Sequence, residues 1–109
     1  MKISIVRGGG LAGVVTATTL NVADLSEQDA AVLRDRVNQA ELFSLPEHGQ
    51  SAPPQPDSFY YELTVEDEHR RHTVRLGEQG LSPQLREFIT WVYAAPDRRQ
   101  EVRRLGQRY

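Results

Sequence analysis

Lys2-Ile3-Ser4-Ile5-Val6-Arg7-Gly8-Gly9-Gly10-Leu11-Ala12-Gly13-Val14-Val15-Thr16-Ala17-Thr18-Thr19-Leu20-Asn21-Val22 is the stretch on which the fold turns. Its spacing Gly8-x-Gly10-x-x-Gly13 imitates the dinucleotide fingerprint, in which glycines bring backbone close to a pyrophosphate at a helix N-terminus. That fingerprint needs a crossover helix after the glycines, then a parallel strand with an acidic residue for the ribose. Here the glycines are followed by Val14–Val22, rich in β-branched residues that suit a pleated surface and disfavour a helix. Asp24 or Glu27 would have to serve the ribose with no parallel strand behind it. Ahead of the glycines, Ile3 and Ile5 alternate with Lys2 and Ser4, the period of a half-buried strand. The stretch therefore reads as two antiparallel strands joined by a wide glycine loop, and no cofactor is expected. Leu11 is left as one large apolar side chain that Gly10 and Ala12 barely shield.

Working outward, Ser26 predicts a helix start, with Asp29 loosely imitating the acidic member of a capping box. Ala30, Leu33, Val37 and Ala40 then recur at helical spacing. The helix gives way at Leu42-Phe43-Ser44-Leu45-Pro46, where proline holds Leu45 extended. Residues 47–57, with three prolines among small polar residues, read as a loop. Phe59, Tyr61, Leu63 and Val65 alternate with Ser58, Tyr60, Glu62, Thr64 and Glu66, the clearest strand signal in the chain. His72, Val74 and Leu76 alternate with Arg71, Thr73 and Arg75 beyond the turn Asp67-Glu68-His69. Ser82-Pro83 starts a second helix, striped by Leu85, Phe88, Ile89 and Val92 and extended by Leu81, which Pro96 ends. The expected fold is a single α+β domain in ββαββα order: a four-stranded antiparallel sheet with two helices packed on one face. Residues 1–96 form that domain, and 97–109 are a basic tail able to make a short helix on Val102 and Leu105.

The 109 residues suit one domain, and 39% hydrophobic with 26% charged residues is an ordinary globular balance. No run approaches the roughly 18 unbroken apolar residues of a membrane span, and Arg7 and the glycines interrupt any signal-peptide core. Zero cysteines exclude a disulfide framework and thiol chemistry and fit a reducing compartment, so a cytoplasmic protein is expected. A net charge of −2 gives no global case for nucleic acid or an anionic membrane.

Candidate chemistry is sparse. His69 and His72 fall on opposite faces of a strand, His48 is tied to neither by spacing, and no third metal ligand presents itself. Glu66-Asp67-Glu68 lacks the spacing of a calcium loop and reads as a polar hairpin tip. There is no Gly-x-Ser-x-Gly elbow and no acid, base and nucleophile set, so an enzyme is not expected. Arg98, Arg99, Arg103, Arg104 and Arg108 are diluted by Asp97 and Glu101, with Tyr109 the one aromatic near them. Trp91, Tyr93 and Tyr60 are large amphipathic rings of the kind that finish a core edge or anchor an interface.

Taken in order, Lys2-Ile3 leading to Arg7-Gly8-Gly9, then Phe43-x-Leu45-Pro46, Phe59-x-Tyr61-x-Leu63-x-Val65, Arg71-His72-Thr73-Val74 and the Trp91 helix give a chain that resembles the emfourin family. These are small protein inhibitors of protealysin and related thermolysin-like zinc metallopeptidases. The resemblance runs from Lys2 to Tyr93 and leaves the arginine-rich tail unmatched. It implies a non-enzymatic inhibitor that partners a bacterial metallopeptidase and occupies its active-site cleft. The enzymes so implied favour a bulky apolar residue on the primed side of the scissile bond. The contact segment this selects is Gly8, Gly9, Gly10, Leu11, Ala12 and Gly13. Leu11 would fill the primed pocket while Gly9 and Gly10 thin the backbone near a zinc that belongs to the enzyme. A secondary contact loop is His48, Gly49, Gln50, Pro53 and Pro54. The different-class alternative is a non-inhibitory regulatory module that binds another protein through the Tyr60 sheet face or the basic tail. In either case the free chain is expected to be a monomer with no metal of its own.

Overall fold

A computed structural model describes residues 1–9, 14–45 and 59–104. Strands β1 (Lys2–Gly9) and β2 (Val14–Asn21) precede helix α1 (Glu27–Gln39), strands β3 (Phe59–Glu66) and β4 (Arg71–Gly77), helix α2 (Pro83–Ala94) and strand β5 (Arg99–Arg104). The sheet is antiparallel throughout, in the order β4-β3-β1-β2-β5. The hairpin reading of the N-terminal stretch holds: Lys2 pairs with Asn21 and Arg7 with Thr16 across β1 and β2.

Two expectations are corrected. Among the described residues the sheet has five strands rather than four, and the order is ββαββαβ rather than ββαββα. The segment after Asp97 is not a short helix but β5, which lies antiparallel on β2 with Val102 opposite Thr16 and Gln100 opposite Thr18. The physical reason lies in β2, which would otherwise present a row of unpaired backbone groups. Thr18 adds a side-chain reason. It is fully buried, and its hydroxyl accepts a 3.4 Å hydrogen bond from Gln100 Nε2. Arg99 adds a 3.7 Å ion pair to Asp24.

The helix starts follow the expected chemistry. Ser26 Oγ accepts from the Asp29 N–H at 3.1 Å, and Ser82 Oγ accepts from the Leu85 N–H at 3.2 Å with Pro83 in the first turn. α2 stops at Ala94, and Ala95 turns extended ahead of Pro96, the conformation a following proline imposes. Ile3, Ile5, Leu20, Leu63, Val65 and Val74 share one sheet face by register, and they join Leu33 and Val37 of α1 and Phe88 and Val92 of α2 in one buried cluster. Both helices therefore cover that face. The outer face is polar, with Glu62 paired to Arg75 at 2.9 Å and the Thr64 and Thr73 hydroxyls 3.0 Å apart on directly opposed positions. Such cross-strand pairs each contribute about 0.2–1 kcal/mol.

Candidate protein-binding surface

The register of β1 on β3 sets Gly8 opposite Tyr60 and Gly9 opposite Phe59. Successive strand side chains leave on opposite faces, so Tyr60 emerges on the outer face and Phe59 on the helix-covered face. The Tyr60 ring lies across Gly8: a Cβ there would stand 2.6 Å from Tyr60 Cζ and 2.9 Å from Cε1. Gly9 has φ 92°, a conformation that glycine alone adopts without strain. On the other face the Arg7 guanidinium stacks on Phe59, with Cζ 4.9 Å from the ring centroid. Phe59 and Tyr60 remain 37% and 44% exposed, so an aromatic ring stands on each face where the glycine backbone leaves β1.

Arg7 continues the inward alternation of Ile3 and Ile5 and lies near Tyr93 of α2. The Tyr93 hydroxyl is buried with no hydrogen-bond partner among the described residues. Burial pushes its ionisation above the ordinary phenol value of 10.0, and the neighbouring Arg7 charge partly offsets that rise.

Of the residues expected to meet a partner, Gly8 and Gly9 are placed as above. Gly10, Leu11, Ala12, Gly13, His48, Gly49, Gln50, Pro53 and Pro54 lie outside the described residues. What the register does bring together is the base of each segment, because Gly9 precedes the first and its pairing partner Phe59 follows the second. Val14, where β2 begins, pairs with Arg104 of β5, so the C-terminal strand reaches the same end of the sheet.

The remaining polar candidates have structural roles. Nε2 of His72 donates to the Leu45 carbonyl and ties β4 to the turn at Leu42–Ser44. His69 sits in the β3–β4 turn, where Asp67 Oδ1 accepts from the His69 and Arg70 N–H groups at 2.9 and 2.8 Å. Those hydrogen bonds, that from His69 foremost, hold the Asp67 carboxyl below its ordinary value. Arg70 also stacks on Phe43, with Cζ 3.8 Å from the centroid. Among the described residues no group of three or more His, Asp or Glu is arranged to hold a metal ion, and no helix is long and apolar enough to cross a membrane.

Two features escaped the sequence reading. Arg7 falls in phase with Ile3 and Ile5, and that alternation could have placed it on the helix side. Arg36, off the stripe of Ala30, Leu33 and Val37, lies over Trp91 with Cζ 5.1 Å from the ring centroid, a contact between distant segments that leaves no local sequence signal.

Fold and surface together define a small α+β domain with both helices on one side of a five-stranded sheet. A model of the emfourin family matches residues 5–93 of the 109, and the chain belongs to that family. Comparison with curated proteins and with solved structures gave no match. Family membership points to a protease-inhibitor role and a protease partner. The matched span takes in most of β1 and nearly all of α2, whereas β5 falls outside it.

Proposed function

We propose that this chain inhibits a bacterial thermolysin-like, protealysin-type zinc metallopeptidase by occupying its active-site cleft with the segment from Gly8 to Gly13. The observation that carries the reading is the pairing of Gly8 and Gly9 with Tyr60 and Phe59, which anchors the base of the glycine segment between two rings. A segment fixed at its base loses less freedom on binding. In this reading Leu11 fills the primed-side pocket, Gly9 and Gly10 let the backbone approach the metal, and the zinc is the enzyme's. His48, Gly49, Gln50, Pro53 and Pro54 add a secondary contact from the segment that precedes Phe59. The inhibitor acts as a cytoplasmic monomer.

Titration of a protealysin-type enzyme with the intact protein tests this. Leu11→Asp should weaken inhibition by roughly a hundredfold, the scale of a single buried interface anchor, while Gly/Ser replacement of residues 50–56 should have a smaller effect. Unchanged potency for Leu11→Asp would sink the insertion model. The exposure of Tyr60 supports a second reading, a non-inhibitory module using the Tyr60 face or the basic tail. Failure to inhibit several thermolysin-like enzymes, with another partner recovered by pull-down and lost on Tyr60→Ala, would favour it.

A further inference from the structure

The geometry points to a carboxylate-binding groove between α1 and α2, fitted to an acidic peptide segment in which Glu or Asp stands beside an aliphatic residue. The groove is an open surface depression of about 560 Å³ lined by Arg36, Arg86, Glu87, Thr90, Trp91 and Ala94. The Arg36 side chain makes neither hydrogen bond nor ion pair among the described residues, and its Nε is buried without an acceptor. A buried donor left unmade is costly, and stacking on Trp91 leaves the guanidinium edge, with its fork of N–H groups, for a planar anion. Arg86 is braced by one Nη2 hydrogen bond of 3.1 Å to the Glu78 carbonyl and keeps further donors. The Thr90 hydroxyl donates to the Arg86 carbonyl at 2.8 Å, so the guanidinium groups are what the groove offers an anion.

Charge selects the ligand. Two guanidinium groups against the single Glu87 carboxylate leave a surplus of one positive charge, which one carboxylate neutralises and a phosphate dianion overshoots. Trp91 and Ala94 supply an apolar wall beside the cations, and the volume suits neighbouring side chains rather than a lone ion. None of the lining residues belongs to the sheet, so the groove is independent of the inhibitor reading.

Trp91 is the only tryptophan in the chain, so its indole N–H resonance reports on this groove in the intact protein. An acetylated, amidated Leu-Glu-Leu peptide, which carries a single carboxylate, should shift that resonance saturably, with an effect that recedes as salt is raised. The Leu-Gln-Leu peptide, or the Arg36→Gln variant, should bind roughly tenfold or more weakly, the scale of a lost charge-assisted hydrogen bond. Glu87→Gln should tighten binding, and inorganic phosphate should compete poorly. An equal response to the glutamine peptide, an unmoved Trp91 resonance, or full binding by a folded Arg36→Gln protein overturns the proposal. Should Arg36→Gln fail to fold, Arg36→Lys keeps the charge without the fork and carries the same comparison.

Discussion

The ring of Tyr60 occupies the space a side chain on Gly8 would fill, its Cζ 2.6 Å from where that Cβ would stand. The two residues are direct partners across β1 and β3, so neither backbone can withdraw without disturbing the register. Gly8→Ala must turn the ring outward, which its 44% exposure permits. The expected cost is therefore at the low end for overpacking, about 1 kcal/mol. In a double-mutant cycle by denaturant unfolding, Gly8→Ala should cost much less in a Tyr60→Ala background than in the wild type. Additive effects would mean that the ring and the glycine are independent.

Strand β5 gives the second prediction. Deletion of residues 99–109 uncovers the β2 edge and removes the Gln100 partner of the buried Thr18 hydroxyl. A net loss of roughly 1–3 kcal/mol is expected from the hydrogen bonds removed. Thermal melting measures it. Sedimentation should also show concentration-dependent association, because an open edge is a template for another strand. A truncated protein of unchanged stability that stays monomeric would show that β5 does not protect the edge.

The same strand explains what was and was not legible in the sequence. β1, β2 and β3 announce themselves because one face is buried, so Ile3 and Ile5, and Leu63 and Val65, recur with period two. β5 buries little: Val102 is its one aliphatic residue and is 62% exposed, while Arg99 and Glu101 are charged. An edge strand of this kind is held mainly through its backbone, which every residue carries alike, and its charges imitate a solvated helix. The candidate site divides the same way. Gly8 and Gly9 read as part of the glycine loop, yet the demand on Gly8 comes from a ring at residue 60 and becomes visible only once the β1–β3 register is known. Arg36 on Trp91 joins residues of different helices, beyond the reach of any periodic pattern.

Asp67 makes the β3–β4 turn sensitive to acid. Its carboxyl is held below the ordinary value of 3.8 by the His69 and Arg70 N–H groups and by Arg70 itself. A lowered folded value means that the stabilisation is complete above the ordinary carboxylate range and is lost as pH falls through the folded value. Asp67→Ala should lower the melting temperature at neutral pH and leave a shallower acid limb than the wild type. Asp67→Asn retains an oxygen for both N–H groups and should flatten the acid limb with the smaller loss at neutral pH. Parallel acid limbs in all three proteins would remove Asp67 from the account.

Tyr93 predicts the opposite, alkaline dependence. Its phenol is raised above 10.0 by burial, with Arg7 opposing and Tyr61 adding to the rise. The folded protein therefore keeps Tyr93 neutral at a pH where the unfolded chain has begun to ionise. Stability from this group is full below the ordinary tyrosine value and declines as pH rises past it through the folded value. Phenolate absorbance of the wild type minus that of Tyr93→Phe isolates this group from the other tyrosines, and the difference should rise late. Arg7→Met removes the charge that favours phenolate and should delay it further. The Tyr93 hydroxyl has no partner among the described residues, so Tyr93→Phe removes an unmatched buried polar group while keeping the ring. That variant should be as stable as the wild type at neutral pH, or more so by up to about 1 kcal/mol, and should lack the Tyr93 share of the alkaline loss. A marked loss of stability in Tyr93→Phe at neutral pH would instead require the hydroxyl to have a partner in the native state.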